Sequence, residues 1–217
     1  METKNQGVLL HAIPYLGHGR ILKVFTKDGL ITLIGKSKKF ATLSPFCIGE
    51  WVYKKQKSEL FSLTEYSMEH PLLDLRASYT TLTSAISIAE ALLSSQLPLK
   101  PAPHLYLLLC SYLKNLPRFR TPEILSLSFR MKLLLHEGLI DLRLKCKFCE
   151  ELGACLQDGE TVCQLHKEKR AIDFSLDEWQ IVQIMTLTKN FADLINMDWP
   201  PNLKPKIDAL FQEHIKY

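Results

Sequence analysis

Two close pairs of metal-type donors constrain this chain more than any other feature: Cys146-x2-Cys149 and Cys163-x2-His166, with Cys155 between them. A C-x2-C turn sets two thiolates on one side of a tetrahedral ion, and a second close pair supplies the other side. Asp158-Gly159 lies between the pairs and suits a tight turn that folds one back on the other. The first-choice ligands are therefore Cys146, Cys149, Cys163 and His166, with Cys155 as the spare, or as a substitute should His166 point away. Four protein ligands fill the shell and leave no place for water or substrate, so such a site is a structural staple.

The length of 217 residues allows one large domain or two small ones, and 47% apolar content allows a sizeable core. Cys47 and Cys110 sit alone among apolar neighbours and read as core residues. The polar N-terminus is followed by no signal-peptide pattern, and apolar runs such as Leu105–Cys110 are too short to cross a bilayer. Cysteines at metal spacing fit a reducing compartment, so the expectation is a cytoplasmic protein. Net charge is +4 but uneven: residues 1–57 carry ten Lys+Arg against three Asp+Glu, and the rest carries 17 against 20. Such asymmetry points to a polyanion partner.

The first part reads as strands at Gly7–Ile13, closed by Pro14, then Arg20–Thr26, Leu30–Ile34, Phe46–Tyr53 and Leu60–Thr64. Lys27-Asp28-Gly29 is a hairpin turn. Five short strands at spacings of about ten residues suggest a small OB-type barrel. After His70-Pro71 the apolar period becomes helical through Leu72–Leu97, and prolines at 98, 101 and 103 break it. Further helices are expected over about 104–115, from Thr121-Pro122-Glu123 to Glu137 with Gly138 as stop, from the capping box Ser175-Leu-Asp-Glu178 to about Phe191, and over 204–215. The fold class is thus α+β. Residues 1–68 form a five-stranded OB-fold nucleic-acid-binding barrel, and residues 69–217 form an all-helical domain with a zinc knuckle inserted at about 145–167.

Catalytic templates do not match. Gly35-Lys36-Ser37 carries the end of a P-loop, but Leu30 stands where its first glycine belongs, and the tripeptide leaves a strand for a basic turn. Zinc deaminases need His-x-Glu and Pro-Cys-x-x-Cys, whereas Lys145 precedes Cys146 and His136-Glu137 are adjacent. No set of residues fills the roles of nucleophile, base and oxyanion donor, so no enzyme is expected. The cations are more informative. Lys36, Lys38 and Lys39 share one loop with Phe40, and Lys54, Lys55 and Lys57 share the hairpin between the last two strands. In a small barrel, cationic loops track phosphates and aromatics stack on bases. Arg20, Lys23 and Lys27 would extend that surface. The competing reading is a zinc-stapled protein-interaction adaptor without direct DNA contact.

The segment Tyr15-Leu-Gly-His-Gly-Arg20-Ile-Leu-Lys-Val-Phe-Thr26-Lys-Asp-Gly29 resembles the early signature of the RecO family of bacterial recombination-repair proteins. Ile34-Gly-Lys36-Ser-Lys-Lys39 is similar to its basic turn, and Leu43-Ser-Pro-Phe46 and Leu60-Phe-Ser-Leu-Thr-Glu65 match further along. Gly17 and Gly19 replace the usual acids before Arg20, Ser37 replaces a glycine, and Cys163-x2-His166 stands for a second Cys-x2-Cys. The resemblance implies an OB-fold domain followed by helices. It also implies binding of single- and double-stranded DNA, annealing of complementary strands and help in loading the RecA recombinase. Implied partners are RecR and the tail of the single-stranded-DNA-binding protein, and the implied location is the bacterial cytoplasm at the nucleoid. Family members without the metal imply that zinc is not essential to the shared function.

Overall fold

The computed structural model describes residues 2–56 and 60–215, which divide into two compact units, Met1–Pro117 and Arg118–Tyr217. The first opens with five strands: β1 (Glu2–Tyr15), β2 (Gly19–Thr26), β3 (Gly29–Gly35), β4 (Cys47–Lys54) and β5 (Leu60–His70). They close on themselves in the order β1-β2-β3-β5-β4, and β3 and β5 run parallel while the other neighbours are antiparallel. Alternation explains the core. Leu22 and Val24 of β2, Ile31 and Leu33 of β3, Trp51 and Tyr53 of β4, and Phe61 and Leu63 of β5 all point inward into one buried cluster. The Trp51 indole N–H donates to the Gly7 carbonyl at 3.1 Å, so the largest core side chain leaves no polar atom unsatisfied.

Two strands run longer than their sequence suggests. β1 continues through Pro14 to Tyr15 because its pairing with β4 ends at Leu9. Beyond that residue only β2 is a partner, so one side of the strand can accept a proline that donates no hydrogen bond. A bulge at Leu10 lies at this change of partner. β5 continues to His70, which pairs with Ile48.

The compact first unit does not end at residue 68. It also contains α1 (Tyr79–Ser95) and α2 (Pro103–Asn115). The linker between them is stitched to the β2–β3 turn: Leu99 N–H donates to Leu30 O and Ala102 N–H to Lys27 O, both at 3.0 Å. Gly29, at φ 103°, is required there, since a Cβ would stand 2.3 Å from the Lys100 carbonyl oxygen. The prolines that break the helical period therefore feed a segment that joins the barrel instead of leaving it.

The second unit packs α3 (Glu123–His136) against α4 (Leu176–Leu187) and α6 (Leu203–His214), with a single turn α5 (Ala192–Ile195) between the last two. Gly138, at φ 69°, ends α3 with both bonds of a Schellman motif, Leu139 N–H to Leu134 O and Gly138 N–H to Leu135 O. Thr121 does not cap α3 with its side chain. The Ser175–Glu178 capping box opens α4. That helix stops at Leu187, short of Phe191, where the half-buried Lys132 amine takes up the Thr186 and Thr188 carbonyls. The unit is not all helical. Between α3 and α4 lies a small sheet, β7-β6-β8, made of β6 (Cys155–Gln157), β7 (Glu160–Val162) and β8 (Ile172–Asp173). Asp158 and Gly159 both take positive φ, the two-residue turn that joins β6 to β7 with the right twist.

Candidate metal centre and cationic surface

The loop after α3 doubles back on itself before β6. Cys146 N–H donates to Glu151 O, and Gly153 N–H to Leu144 O, which curls Cys146 and Cys149 into one turn. Lys147 N–H donates to Thr161 O at 2.9 Å, which draws that turn onto β7. Cys163 follows β7, and His166 N–H closes on the Cys163 carbonyl at 3.2 Å. The donor atoms of Cys146, Cys149, Cys163 and His166 all lie within 4.8 Å of one another. His166 Nδ1 is 3.6, 3.5 and 3.3 Å from the sulfurs of Cys146, Cys149 and Cys163, and Cys149 Sγ is 3.7 Å from Cys163 Sγ. Metal–sulfur bonds of about 2.3 Å and metal–nitrogen bonds of about 2.1 Å at tetrahedral angles give edges of roughly 3.5–3.8 Å, so the four donors fit one ion. Burial pushes the Cys146 thiol up, but the Phe148 N–H and neighbouring backbone donors outweigh it and bring it down to about 6. The sulfurs of Cys163 and Cys146 raise the His166 ring above its ordinary value. The cluster can hold a metal ion with its shell closed by protein.

Cys155 is not part of this set. It lies on β6, and its S–H donates to Asp173 Oδ1 at 3.1 Å. Burial, with Asp173 adding to it, pushes that thiol up to about 12, which suits a core group and not a ligand. His166, though exposed, turns its Nδ1 onto the three sulfurs, so no substitute is called for.

The expected cations are dispersed in part and gathered in part. Arg20 and Lys23 are an odd number of residues apart on an unbulged strand, so they point to opposite faces, Arg20 with the inward Leu22 and Lys23 away from it. Lys27 sits in the β2–β3 turn, at the other end of β2 from Arg20. The lysine segments, by contrast, converge on β5. Lys39 Nζ donates to Thr64 O at 2.8 Å and lies over the Phe40 ring, while Lys54 pairs in register with Ser62. Those two β5 positions are about 7 Å apart. Ser37, the P-loop-like serine, caps the one-turn helix Lys38–Phe40. Lys54 also lies 3.6 Å from Glu2, an exposed pair of little energetic weight. Arg20, Lys23, Lys27, Lys36, Lys38 and Lys55 form no ion pair with any described residue, and Lys57 lies outside the described residues. Sequence reasoning missed a cavity of about 620 Å³ within the first unit, lined by Leu10, Phe46, Arg76, Leu82 and Ile86 among others. Its only sequence signal is the stripe Leu82, Ile86, Leu93 on α1, which reads equally as core.

Residues 1–72 match the family described as Recombination protein O N terminal. Proteins named DNA repair protein RecO are similar along nearly the whole chain. The one from Chlamydia pneumoniae is 29% identical over 97% of this chain and 88% of its own length. The one from Chlamydia trachomatis serovar L2 is 27% identical over 99% and 93%, and the one from Caldicellulosiruptor bescii is 24% identical over 98% and 91%. The resemblance read from the motifs of the first barrel strands and the basic turn therefore extends end to end.

Proposed function

We propose that this chain, a member of the RecO family by its N-terminal domain and its full-length similarity, is a non-enzymatic mediator of DNA repair and homologous recombination. Its five-stranded closed order, with β3 parallel to β5, is the arrangement an OB-fold requires and supports reading the barrel as the DNA-binding element. The observation that carries the proposal is the convergence of two lysine segments on β5, beside cations that no described carboxylate neutralises. Lys36, Lys38, Lys39, Lys54 and Lys55 would follow the phosphate backbone of single- or double-stranded DNA, with Arg20, Lys23, Lys27 and Lys57 as outlying contacts. No segment of the sequence resembles a base-reading helix, so sequence preference should be small. Annealing of complementary strands, help in loading RecA, and partnership with RecR and the single-stranded-DNA-binding protein tail follow from the family reading, as does a cytoplasmic, nucleoid-associated location. Among the described residues no helix is long and apolar enough to cross a membrane.

Cys146, Cys149, Cys163 and His166 would hold one zinc ion. The ion would supply a closed cross-link between the turn after α3 and the turn after β7, with no position for substrate.

The test is fluorescence anisotropy of the full chain on a labelled single strand. Affinity should fall by about 0.7 log units per phosphate contact for each log unit of salt. The triple substitution Lys36→Glu, Lys38→Glu and Lys39→Glu should weaken binding at least tenfold. Undiminished binding by that variant, or no dependence on salt, sinks the proposal. The adaptor reading has one observation of its own: Leu144, Phe148, Leu152 and Leu165 are 65, 60, 70 and 84% exposed around the cysteine cluster, where a protein partner could cover them. Intact DNA binding by the full chain excludes that reading as the whole function.

A further inference from the structure

The thiol left out of the ligand set leads to a network that grips the ligand turn from the opposite strand. β6 pairs with β7 on one side and β8 on the other, so Cys155 faces Val162 across one ladder and Asp173 across the other. Asp173 Oδ1 accepts the Cys155 S–H at 3.1 Å and the Gln164 amide at 2.8 Å, and Asp173 Oδ2 takes the Lys167 ammonium. Gln164 Nε2 also approaches Cys155 Sγ at 3.5 Å. Gln164 is the residue after Cys163, and Lys167 is the residue after His166. One carboxylate therefore holds both ends of the turn that supplies two of the four donors.

The turn's other contacts are short-range: Leu165 at its tip is 84% exposed, His166 N–H donates to Cys163 O, and the Cys163 sulfur meets His166 Nδ1 at 3.3 Å. Just beyond it, Glu168 N–H donates to Gln157 Oε1, and Arg170 pairs with Asp158. Asp173 is the group on the neighbouring strand ladder that bonds the residue after each of the two ligands. The same contacts commit the Cys155 S–H to a carboxylate, so a fifth sulfur beside the cluster does not compete for the ion.

We propose that Asp173 is the positioning residue of the metal centre. It fixes the Cys163–His166 turn through Gln164 and Lys167 and keeps the Cys155 sulfur turned onto its own carboxylate, outside the ligand set. This rests on the reading of Cys146, Cys149, Cys163 and His166 as a metal site. Supporting partners of metal ligands change affinity by about 10–100-fold when removed, and a carboxylate exposed by nearly half belongs at the lower end.

The test is zinc affinity of the full chain, measured by competition with a chromophoric chelator, together with the absorption of the cobalt(II)-substituted protein. Asp173→Ala should bind zinc about tenfold more weakly. Asp173→Asn, which can still accept from Cys155 and Gln164 but no longer pairs with Lys167, should recover part of that loss. Cys155→Ser should leave the cobalt spectrum that of three thiolates and one imidazole. Should Asp173→Ala not fold by circular dichroism, Asp173→Asn and Lys167→Met carry the comparison. Wild-type affinity in the Asp173 and Lys167 variants overturns the inference, as does a cobalt spectrum that loses a thiolate in Cys155→Ser. A wild-type chain that takes up no zinc overturns the metal reading beneath it, a result distinct from either.

Discussion

The barrel and the cysteine segment are held together by opposite means. In the barrel, side chains from five strands meet inside: Trp51, Tyr53, Ile31 and Leu33 are essentially inaccessible. In the segment between α3 and α4, the strands are three, three and two residues long, and the large apolar side chains Leu144, Phe148, Leu152 and Leu165 face outward. Its buried cluster is Cys146, Cys155, Val162 and Cys163, with Leu156 the one other large apolar side chain buried among the described residues of the three strands. A region of that size with so little buried apolar surface lacks the driving force that closes the barrel. Its donors occupy the place where a core would be, so an ion held by them would substitute for a core.

The sharpest way to break this comparison is to remove the cross-link. Structural zinc sites in small domains contribute about 10–16 kcal/mol at neutral pH. Chelation, or Cys149→Ser, should open the β6–β7 amides to hydrogen exchange and admit protease cleavage between residues 141 and 173, while the barrel amides stay protected. The converse experiment is Trp51→Ala, which empties the barrel centre and leaves the Gly7 carbonyl without its indole donor. It should cost about 3–5 kcal/mol in denaturant melts and leave zinc stoichiometry at one per chain. Loss of zinc on barrel unfolding would show that the two regions fold as one and that the contrast between them is false.

The two regions also differ in how well their sequences disclose them. The short apolar runs Arg20–Thr26 and Leu30–Ile34, about ten residues apart and joined by Lys27-Asp28-Gly29, announce strands of a barrel, but β3 is buried on both faces, so only the fold singles out Ile31 and Leu33 as its inward side chains. Its strand ends were less visible. The fate of Pro14 depends on where β4 stops pairing, which is a long-range fact no local rule contains. The cations show the same limit. Their number in residues 1–57 is plain, but only the register tells that Arg20 and Lys23 part company and that Lys39 and Lys54 meet on β5. In the cysteine segment the ligand pairs were legible from spacing, because the geometry of the ion itself sets the spacing. The demotion of Cys155 was not, because it depends on Asp173, 18 residues further on and brought opposite only by the β6–β8 ladder. Domain extent was hidden for a related reason: the prolines at 98, 101 and 103 look like a boundary, and only the bonds from Leu99 and Ala102 to the β2–β3 turn bind that segment to the barrel.

The smallest expected effect concerns a carboxylate that neither the barrel nor the cysteine cluster uses. Glu178 is buried at the start of α4, where its oxygens accept from Ser175 N–H at 2.7 Å, Asn202 Nδ2 at 2.6 Å and Lys206 Nζ at 2.6 Å. Burial pushes its carboxyl up, but the Lys206 ammonium and the other two donors together hold it below the ordinary value of 4.5. A carboxylate depressed in the folded state stabilises that state fully above its unfolded value, and the stabilisation disappears as pH falls through the lower folded value. The second unit should therefore lose stability on acidification below about pH 4.5. Glu178→Gln, which keeps the shape and removes the charge, should cost about 2 kcal/mol at pH 7 and less at pH 3. Amide exchange of α4 at the two pH values measures this directly, with the barrel amides as an internal reference. An equal gap between wild type and variant at both pH values would mean that the charge on Glu178 contributes nothing and that its hydrogen bonds alone hold the entry to α4.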